Sequence, residues 1–256
     1  ISERHRTQNQ ACRYFSDLRS SNLDGIGCGR ECEPEQYEEL LPYGFRRSSM
    51  LLYRPQCHGC LLCIPVRLDT ERFAVSRTHS EVLRKNRETR IKILDLAYNT
   101  AYRSLYNDYV IRKHNGEPLS EEAYVFQYHE SPFGADSKIL ACFVGTGGSE
   151  QLAAISFIDL LPTGISSVYC AFNLDFSRLS LGTYTMLREI ELCRELGKRW
   201  YYPGFWVAGC RSMEYKAYFE PLDYCLHREW NPLTEEIKTD FRVISSILSR
   251  QFRSNN

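Results

Sequence analysis

The sequence predicts an α+β (mixed α/β) fold, and three observations favour this class. Strand-like runs of apolar and β-branched residues follow one another at 139–144, 152–160 and 165–172. A helix-forming stretch without Pro comes next, at 182–196. A further short strand-like segment then lies at 200–202. Strands in succession, followed by a helix and another strand, indicate a core in which helices pack on a sheet.

The segments before residue 90 are shorter and more irregular. Residues 12–45 are polar and rich in turn-forming residues, so they predict little regular structure. Pro and Gly interrupt any helix between residues 45 and 68, and this stretch predicts short strands joined by turns. Residues 76–90 lack both Gly and Pro and predict a basic helix, with Ser76 or Ser80 as its cap.

Beyond residue 90 the pattern alternates between apolar runs and helical spacing. Tyr and Leu side chains recur at helical intervals up to a basic end that suits a helix C-terminus. The predicted elements are, in order, a strand at 91–94, a helix at 95–114, a helix near 120–130, the strands and helix given above, and a last strand at 224–230.

Composition and charge exclude several classes of protein. The 256 residues are 43% apolar and 25% charged, which is ordinary for a globular chain, and 32 basic residues balance 32 acidic ones. This balance excludes a disordered polyelectrolyte or a uniformly basic nucleic-acid coat. No apolar run approaches the ~18 residues of a membrane span, and no signal-peptide core is evident. We therefore expect a cytoplasmic protein with neither a membrane nor DNA as partner.

The neutral total hides an uneven distribution of charge. Residues 46–92 carry 11 basic and 4 acidic side chains, a balance of +7. Such a segment is either a footprint for a polyanion or a solvated basic face beside acidic neighbours. A division near residue 90 follows, with a Cys-containing, basic N-terminal region at 1–90 and a second domain at 91–256.

Three of the 11 cysteines form a C-x2-C-x2-C pattern, and a fourth thiol precedes them. Tight C-x2-C turns suit thiolates that close around one metal ion. Zinc or an iron–sulfur cluster is one interpretation, and reduced cysteines in a compact turn are the other. The candidate ligands are Cys12, Cys57, Cys60 and Cys63.

Three longer stretches carry a resemblance to a known family. They read GFRRS followed by LYRPQCHGCLLCIPVRL within residues 44–68, GISSVYCAFNLDFSRLSLGTYT at 164–185, and YYPGFWVAGCRSMEYKAYFEP at 201–221. In order and spacing they resemble the aminoacyl-tRNA–protein transferases of the N-degron pathway, and most closely the bacterial aspartate/glutamate leucyltransferases. The likeness runs from Cys12 to about Trp230 and covers most of the chain.

The resemblance implies a fold, a reaction and its partners. It implies a GNAT-like acyltransferase fold for the C-terminal half, and transfer of leucine from Leu-tRNA to the α-amine of proteins that begin with Asp or Glu. The new N-terminus would mark those proteins for N-end-rule degradation. The reaction requires no cofactor, because an aminoacyl ester is already activated and positioning supplies much of the acceleration. Eukaryotic members begin with a C-x2-C pair, whose second thiol is absent here.

The resemblance also implies site residues of three kinds. The catalytic candidates are Tyr202, Tyr215, Lys216 and Asp159. An acidic N-terminal side chain calls for an arginine fork, and the candidates are Arg46, Arg47, Arg54 and Arg67. Phosphate, ribose and adenosine contacts call for a basic helix, a helix start and an aromatic ring, and the tRNA-binding candidates are Arg77, Arg84, Lys85, Arg87, Ser180, Gly182, Thr183 and Trp206.

Three other functions remain open at this point. Arginine from Arg-tRNA could be transferred to the same acceptors. A GNAT-like fold could also serve a small-molecule acetyltransferase that uses acetyl-CoA, although the chain lacks a Q/R-x-x-G-x-G/A loop. A non-catalytic, metal-stabilised RNA-binding module would account for the cysteines and the basic segment alone.

Overall fold

A computed structural model describes residues 2–15, 20–28, 32–145 and 150–254. Its strands are β1 (Ser2–Ala11), β2 (Ser20–Gly27), β3 (Arg46–Ser48), β4 (Leu51–Pro55), β5 (Cys63–Asp69), β6 (Arg90–Asp95), β7 (Ser137–Val144), β8 (Gln151–Leu160), β9 (Gly164–Phe172), β10 (Trp200–Val207), β11 (Leu222–Leu226) and β12 (Glu229–Pro232). Its α-helices are α1 (Pro34–Leu40), α2 (Arg77–Lys85), α3 (Thr100–His114), α4 (Glu121–Tyr124), α5 (Leu181–Glu195) and α6 (Glu235–Ser254).

The strands form two sheets. The small sheet has the order β1-β2-β4-β3, and the large sheet has the order β12-β11-β5-β10-β9-β8-β7-β6. Neighbouring strands of the large sheet are antiparallel except β9 and β10, which are parallel. Helix α5 makes the crossover that a parallel pair requires. The α+β prediction is confirmed, and this strand and helix order agrees with the GNAT-like half that the resemblance implies.

Alternation along β5 explains how the large sheet is covered. Ile64, Val66 and Leu68 belong to one apolar cluster with side chains of α2, α5 and β10, whereas their neighbours along the strand point to the other face. A second, tyrosine-rich cluster packs α3 and α4 against β7, β8 and β9. Helices therefore cover both faces of the sheet around β8 and β9.

The small sheet and α1 lie over the face of the large sheet that is opposite α5. Helix α1 begins with a capping box between Glu33 and Gln36 and has Pro34 in its first turn. Its buried Tyr37 is within 3.1 Å of the Ser166 hydroxyl on β9 and accepts a hydrogen bond from the backbone N–H of Arg47 at 3.1 Å. These two contacts join the small sheet to the large one beside the end of the β9–β10 pairing.

The predicted elements are confirmed for most of the chain, with differences at their ends. The basic helix is shorter than predicted, spans Arg77–Lys85, and is capped by Ser76, whose hydroxyl accepts a hydrogen bond from the backbone N–H of His79. The predicted strand at 200–202 continues to Val207. The predicted strand at 224–230 is a hairpin of β11 and β12.

The prediction of little regular structure in residues 12–45 is wrong, because β2 and α1 lie there. The strand was missed since its pattern is polar and its stability comes from pairing with β1 and β4, which are distant in sequence. The division near residue 90 stays a prediction: sheet membership crosses it, since β5 lies between β10 and β11. In the part of the chain described, no helix is both long and apolar enough to span a membrane.

Candidate active site

The centre of the large sheet opens where β9 and β10 part. Their pairing covers only Trp200, Tyr201 and Tyr202 against residues 164–166, although β9 continues to Phe172 and β10 to Val207. Side chains from α5 and from the short 3-10 helix Glu214–Tyr218 reach this opening. Two splayed strands with a helix behind them form a cleft into which polar groups can project.

A buried carboxyl lies on the α5 side of this opening. Glu189 is 1% exposed and accepts a hydrogen bond of 2.6 Å from the Tyr201 hydroxyl. Burial raises the pKa of the Glu189 carboxyl, although hydrogen bonds from Ser156, Tyr201 and Ser167 oppose this effect. Glu189 is therefore a buried carboxyl that three hydroxyl donors hold inside the sheet layer.

A buried amine faces the same opening. Lys216 is 8% exposed, and its Nζ donates to the backbone oxygen of Phe205 at 2.9 Å. Burial, followed by the charge of Arg46, lowers the pKa of Lys216 to about 7, although Glu189 opposes this shift. Near neutral pH such an amine both accepts and returns a proton, as a general acid–base group does.

Tyr215 adds a phenol to this group. It keeps 37% of its surface exposed, but desolvation of its hydroxyl raises the pKa of Tyr215, and nearby Cys170 and Glu189 raise it further. The sequence-based candidates Tyr215 and Lys216 are thus brought together around Glu189. The Cys170 thiol lies 3.3 Å from the Thr185 hydroxyl on the same side.

Arg46 is a buried cation without a carboxylate partner in the described structure. It is 4% exposed, and its guanidinium donates to the backbone oxygens of Phe45 at 2.6 Å and Gly204 at 3.4 Å. Its Nε has no hydrogen-bond partner among the described residues. Burial lowers the pKa of the Arg46 guanidinium, and its carbon lies 5.3 Å from the centre of the Phe205 ring. A held, unpaired guanidinium fits an anionic ligand.

Gly204 lies between the two buried cations. Its φ of +91° is in the left-handed region, and the register of β10 against β5 shifts between Tyr201 and Gly204. Arg46 contacts its carbonyl oxygen, and a Cβ at this position would lie 3.6 Å from the Nζ of Lys216. The bulge thus brings Arg46 and Lys216 to opposite sides of one glycine.

Arg47 and Asp159 are joined to each other. The Nε and Nη2 of Arg47 donate to the two carboxylate oxygens of Asp159 at 2.6 and 2.9 Å, and both side chains are 1% exposed. The Ser137 hydroxyl donates to Asp159 at 2.6 Å. This fork-to-carboxylate geometry ties β3 to β8. It favours a structural role for both residues over the acceptor and catalytic roles predicted for them.

The other predicted acceptor arginines also have partners. Arg67 pairs with Asp223 at 3.2 Å, and its guanidinium carbon lies 3.5 Å from the Trp200 ring centre. Arg54 approaches Asp24 at 3.4 Å. Tyr202 is 4% exposed and faces the small sheet, so it lies on the other side of the sheet from Glu189. Of the four arginines, Arg46 alone lacks a carboxylate among the residues described.

The predicted tRNA-binding residues largely converge at one corner. The Asn86 side chain, at the end of α2, donates to the backbone oxygen of Leu179 at 2.7 Å, just before α5. The four basic candidates of the α2 segment are exposed: Arg77, Arg84, Lys85 and Arg87. The three candidates at the start of α5 are half-buried: Ser180, Gly182 and Thr183. Ser180 makes no side-chain cap and has a φ of +52°.

Trp206 is placed differently from its prediction. Its side chain is completely buried and meets the Phe241 ring edge-on, with centroids 6.0 Å apart. A tryptophan with no exposed surface has no face to offer to an adenosine or a ribose. Trp206 therefore lies in the core between β10 and α6, rather than on the tRNA-binding surface expected for it.

The cysteine candidates approach one another but do not form a metal site. The neighbouring thiols of Cys57, Cys60 and Cys12 raise the pKa of the Cys63 thiol, after burial as the main cause. The Cys57 sulfur contacts the backbone oxygen of Asn22 at 3.8 Å. Across the described ranges, no group of three or more His, Cys, Asp or Glu side chains is arranged to hold a metal ion. The zinc or iron–sulfur interpretation is therefore unsupported by this arrangement.

Glu189 is the site residue that sequence reasoning missed. It lies in α5 four residues after Thr185 and four before Cys193, on a face whose other members are buried. A charged residue at helical spacing within a buried face is the signal that could have identified it. The spacing would not have named its partner, because Tyr201 lies beyond the end of the helix.

Comparisons with known proteins agree with this architecture. Family models described as "Arginine-tRNA-protein transferase, C terminus" and "Arginine-tRNA-protein transferase, N terminus" match residues 101–226 and 10–81. Three curated relatives are each named aspartate/glutamate leucyltransferase. The one from Chromohalobacter salexigens is 35% identical over 240 residues, covering 90% of this chain and 93% of the relative. The one from Stutzerimonas stutzeri is 30% identical over 232 residues, covering 89% and 95%.

The third relative, from Chromobacterium violaceum, is 36% identical over 201 residues and covers 78% of this chain and 81% of its own length. Matches of this extent leave no large part of the fold outside the comparison, and the two family models together include β3, β5, α5 and β10. This chain belongs to the arginine-tRNA-protein transferase family.

Proposed function

We propose that this chain transfers leucine from Leu-tRNA to the α-amine of proteins that begin with Asp or Glu, and so creates a destabilising N-terminus for N-end-rule degradation. Relatives named aspartate/glutamate leucyltransferase support this activity over most of the chain. The structural observation that carries it is Arg46, a buried guanidinium with no carboxylate partner in the described structure, beside the buried amine of Lys216.

Arg46 binds the acidic side chain of the acceptor. Its Nε is free of protein partners in the described residues, and its two donated bonds go to neutral carbonyl oxygens. A carboxylate therefore gains a charge-assisted hydrogen bond and neutralises a charge that is otherwise buried alone. This accounts for selection of Asp and Glu over neutral and basic N-terminal residues.

Lys216 handles the proton of the reaction. The acceptor nitrogen attacks the ester carbonyl of the aminoacyl-tRNA, an N–C bond forms, and the ester C–O bond breaks. The nitrogen loses a proton, and the ribose oxygen that leaves gains one. With a pKa of about 7, the Lys216 amine takes the first proton and supplies the second. Arg46 and Glu189 act on its pKa in opposite directions.

The aminoacyl-tRNA approaches from the α2–α5 corner. Exposed Arg77, Arg84, Lys85 and Arg87 follow the phosphate backbone, which makes binding sensitive to salt. The start of α5 then receives the 3′ end near the opening between β9 and β10. The reaction needs no metal, and the proposal locates it in the cytoplasm, where charged tRNA is available.

A transfer assay by intact-mass spectrometry tests the activity. Leu-tRNA and Arg-tRNA are offered separately to peptides that differ only in a first residue of Asp, Glu or Lys. We expect a leucine mass on the Asp and Glu peptides and none on the Lys peptide. An arginine mass would favour the activity named by the family models. No gain with either donor would refute the proposal and favour the acetyl-CoA or RNA-binding alternatives.

A further inference from the structure

A cavity of about 330 Å³ opens between the small sheet and the β11–β12 hairpin. Tyr43 and Arg54 line it from the N-terminal side, Phe205 lies at the large sheet, and His227 and Arg228 line it from the hairpin turn. We call this cavity the basic groove. Its volume lies at the small end of the range for ligand pockets, which suits a few residues of an extended chain rather than a folded domain.

The rim of the basic groove combines apolar and cationic groups. Tyr43 is 42% exposed, Leu61 is 75% exposed and Leu226 is 37% exposed, which are high values for apolar side chains that share one cavity. Arg54 and Arg228 add positive charge, and of the described residues that line the groove none is Asp or Glu. This chemistry fits a peptide with acidic side chains and some apolar contact.

The two-residue turn between β11 and β12 has an unfavourable backbone conformation at both of its residues. Leu226 pairs with Glu229, so the turn consists of His227 and Arg228, with φ of +51° and +73°. Both values lie in the left-handed region, where a two-residue hairpin favours Asn or Gly. Bulky residues there are strained, and such strain is typical of functional sites. The guanidinium carbon of Arg228 lies 4.5 Å from the Tyr43 ring centre, across the groove.

The basic groove leads toward Arg46. Phe205 lines the groove, and the Arg46 guanidinium stacks against the Phe205 ring. The charge of Arg46 also opposes the raised pKa of Cys225, another lining residue, so the two lie within electrostatic range. The buried, unpaired guanidinium thus lies against one lining residue of the groove and within electrostatic range of another.

The groove lies on the opposite face of β5 from the α2–α5 corner. Phe205 lines it, whereas the next residue, Trp206, packs in the apolar cluster of α5, to which Val66 and Leu68 of β5 also belong. A tRNA bound at the α2–α5 corner would have to extend around the large sheet to occupy the groove as well. The apolar rim likewise favours a polypeptide over a nucleic-acid backbone.

We propose that the basic groove binds the second and third residues of the acceptor polypeptide and selects acidic side chains there. The inference rests on the proposed function, in which Arg46 takes the first side chain. The chain enters past Tyr43 and Arg228 and runs inward, so that its α-amine arrives at the opening beside Lys216. The acceptor and the tRNA then reach the reaction centre from opposite faces of the large sheet.

Three peptides that start with Asp and differ only at positions two and three test this on the unmodified protein. They carry Glu-Glu, Ala-Ala or Lys-Lys, and kcat/KM is measured with Leu-tRNA. We expect Glu-Glu to exceed Lys-Lys by about tenfold at low salt, as exposed ion pairs allow. Arg228→Glu should reverse the order. Lys92→Glu, at an exposed position of β6 on the other edge of the large sheet, changes the net charge equally and should leave the order unchanged.

Binding measured without tRNA separates the two ideas. Fluorescence anisotropy of the same labelled peptides should show the same ranking of Kd, whether or not transfer occurs. Transfer to all three peptides with equal kcat/KM would overturn the groove and leave the proposed function intact. Charge-dependent binding without any transfer would refute the proposed function and leave the groove as a peptide-binding site. A weaker Kd for Leu-tRNA in Arg228→Glu, with the peptide ranking unchanged, would assign the groove to tRNA and also overturn the inference.

Discussion

Replacing Arg46 and Arg47 by Met, one at a time, should change the stability of the protein in opposite directions. The two residues are neighbours on β3, and each is 4% exposed. Arg47 meets Asp159 at 2.6 and 2.9 Å, whereas Arg46 has no carboxylate partner among the described residues. They therefore form a pair of adjacent arginines with equal burial, of which one has a carboxylate partner and the other has none among the described residues.

The expected magnitudes follow from these contacts. Arg47→Met leaves the Asp159 carboxylate buried, with the Ser137 hydroxyl as its remaining donor among the contacts described above, and breaking a buried pair in this way costs about 3–5 kcal/mol. Arg46→Met removes a buried charge that has no counter-ion, and because the desolvation penalty of such a charge is on the order of several kcal/mol, the protein should become more stable. Loss of its bonds to the carbonyls of Phe45 and Gly204 offsets about 1 kcal/mol of that gain.

Urea unfolding at pH 7 measures both changes, and equal m-values would show that the unfolded states are comparable. Transfer kinetics complete the test. Arg46→Met should lower kcat/KM for Asp and Glu peptides by about 30-fold or more, as expected for loss of a buried charge contact of about 2–5 kcal/mol. Its affinity for tRNA should be unchanged. If Arg46→Met destabilises the protein as much as Arg47→Met, or keeps full kcat/KM, the assignment of Arg46 as a ligand-binding cation is refuted.

Four further outcomes are expected. The folded-state pKa of Lys216, about 7, lies below the ordinary value of 10.5, so stability should rise between pH 7 and pH 10, by up to about 4 kcal/mol from this group, and Lys216→Met should lose that rise in urea unfolding. Glu189→Gln should lower the pKa of Lys216 further, which a pH titration of the 13C-labelled lysine would detect as a shift to lower pH, and no shift would separate the two groups. Gly164→Ala should destabilise by about 1–3 kcal/mol in thermal unfolding, since a Cβ would overlap the Trp200 carbonyl oxygen; an unchanged Tm would contradict this close approach. Arg84→Ala should reduce the slope of log Kd for Leu-tRNA against log salt by about one, with acceptor KM unchanged; the same slope would remove α2 from the tRNA surface.

The elements that could be predicted are those whose signals are local. The strands β7, β8 and β9 follow from apolar runs bounded by turns, and α3 ends at His114 where its basic residues suit a helix C-terminus. Strand β2 could not be predicted, because its polar residues become a strand only through partners some 30 residues away in β4. Local pattern carries no information about such pairings.

The candidate site residues likewise differ in how much of their role the sequence could predict. Arg46, Tyr215 and Lys216 were predicted as site residues through family motifs, but the roles proposed for them depend on burial that no motif reports. The pKa of Lys216 is set by desolvation and by Arg46, which lies 170 positions earlier in the chain. Asp159 was predicted to be catalytic, but its carboxylate is paired with Arg47. Which of two adjacent arginines finds a carboxylate is decided by the packing of the small sheet on the large one.

That packing also explains why adjacent arginines can serve two purposes. Successive side chains of a strand point to opposite faces, and β3 is enclosed, so both Arg46 and Arg47 are buried in different surroundings. The Arg47 side chain points toward β8, where its ion pair with Asp159 joins the small sheet to the large one and neutralises its charge. The Arg46 side chain points toward the bulge at Gly204, where carbonyl oxygens hold the guanidinium without neutralising it. The anchored arginine fixes β3, and because β3 is fixed, the unpaired one is held in place; under the proposed function this pre-organises it for the carboxylate of the acceptor.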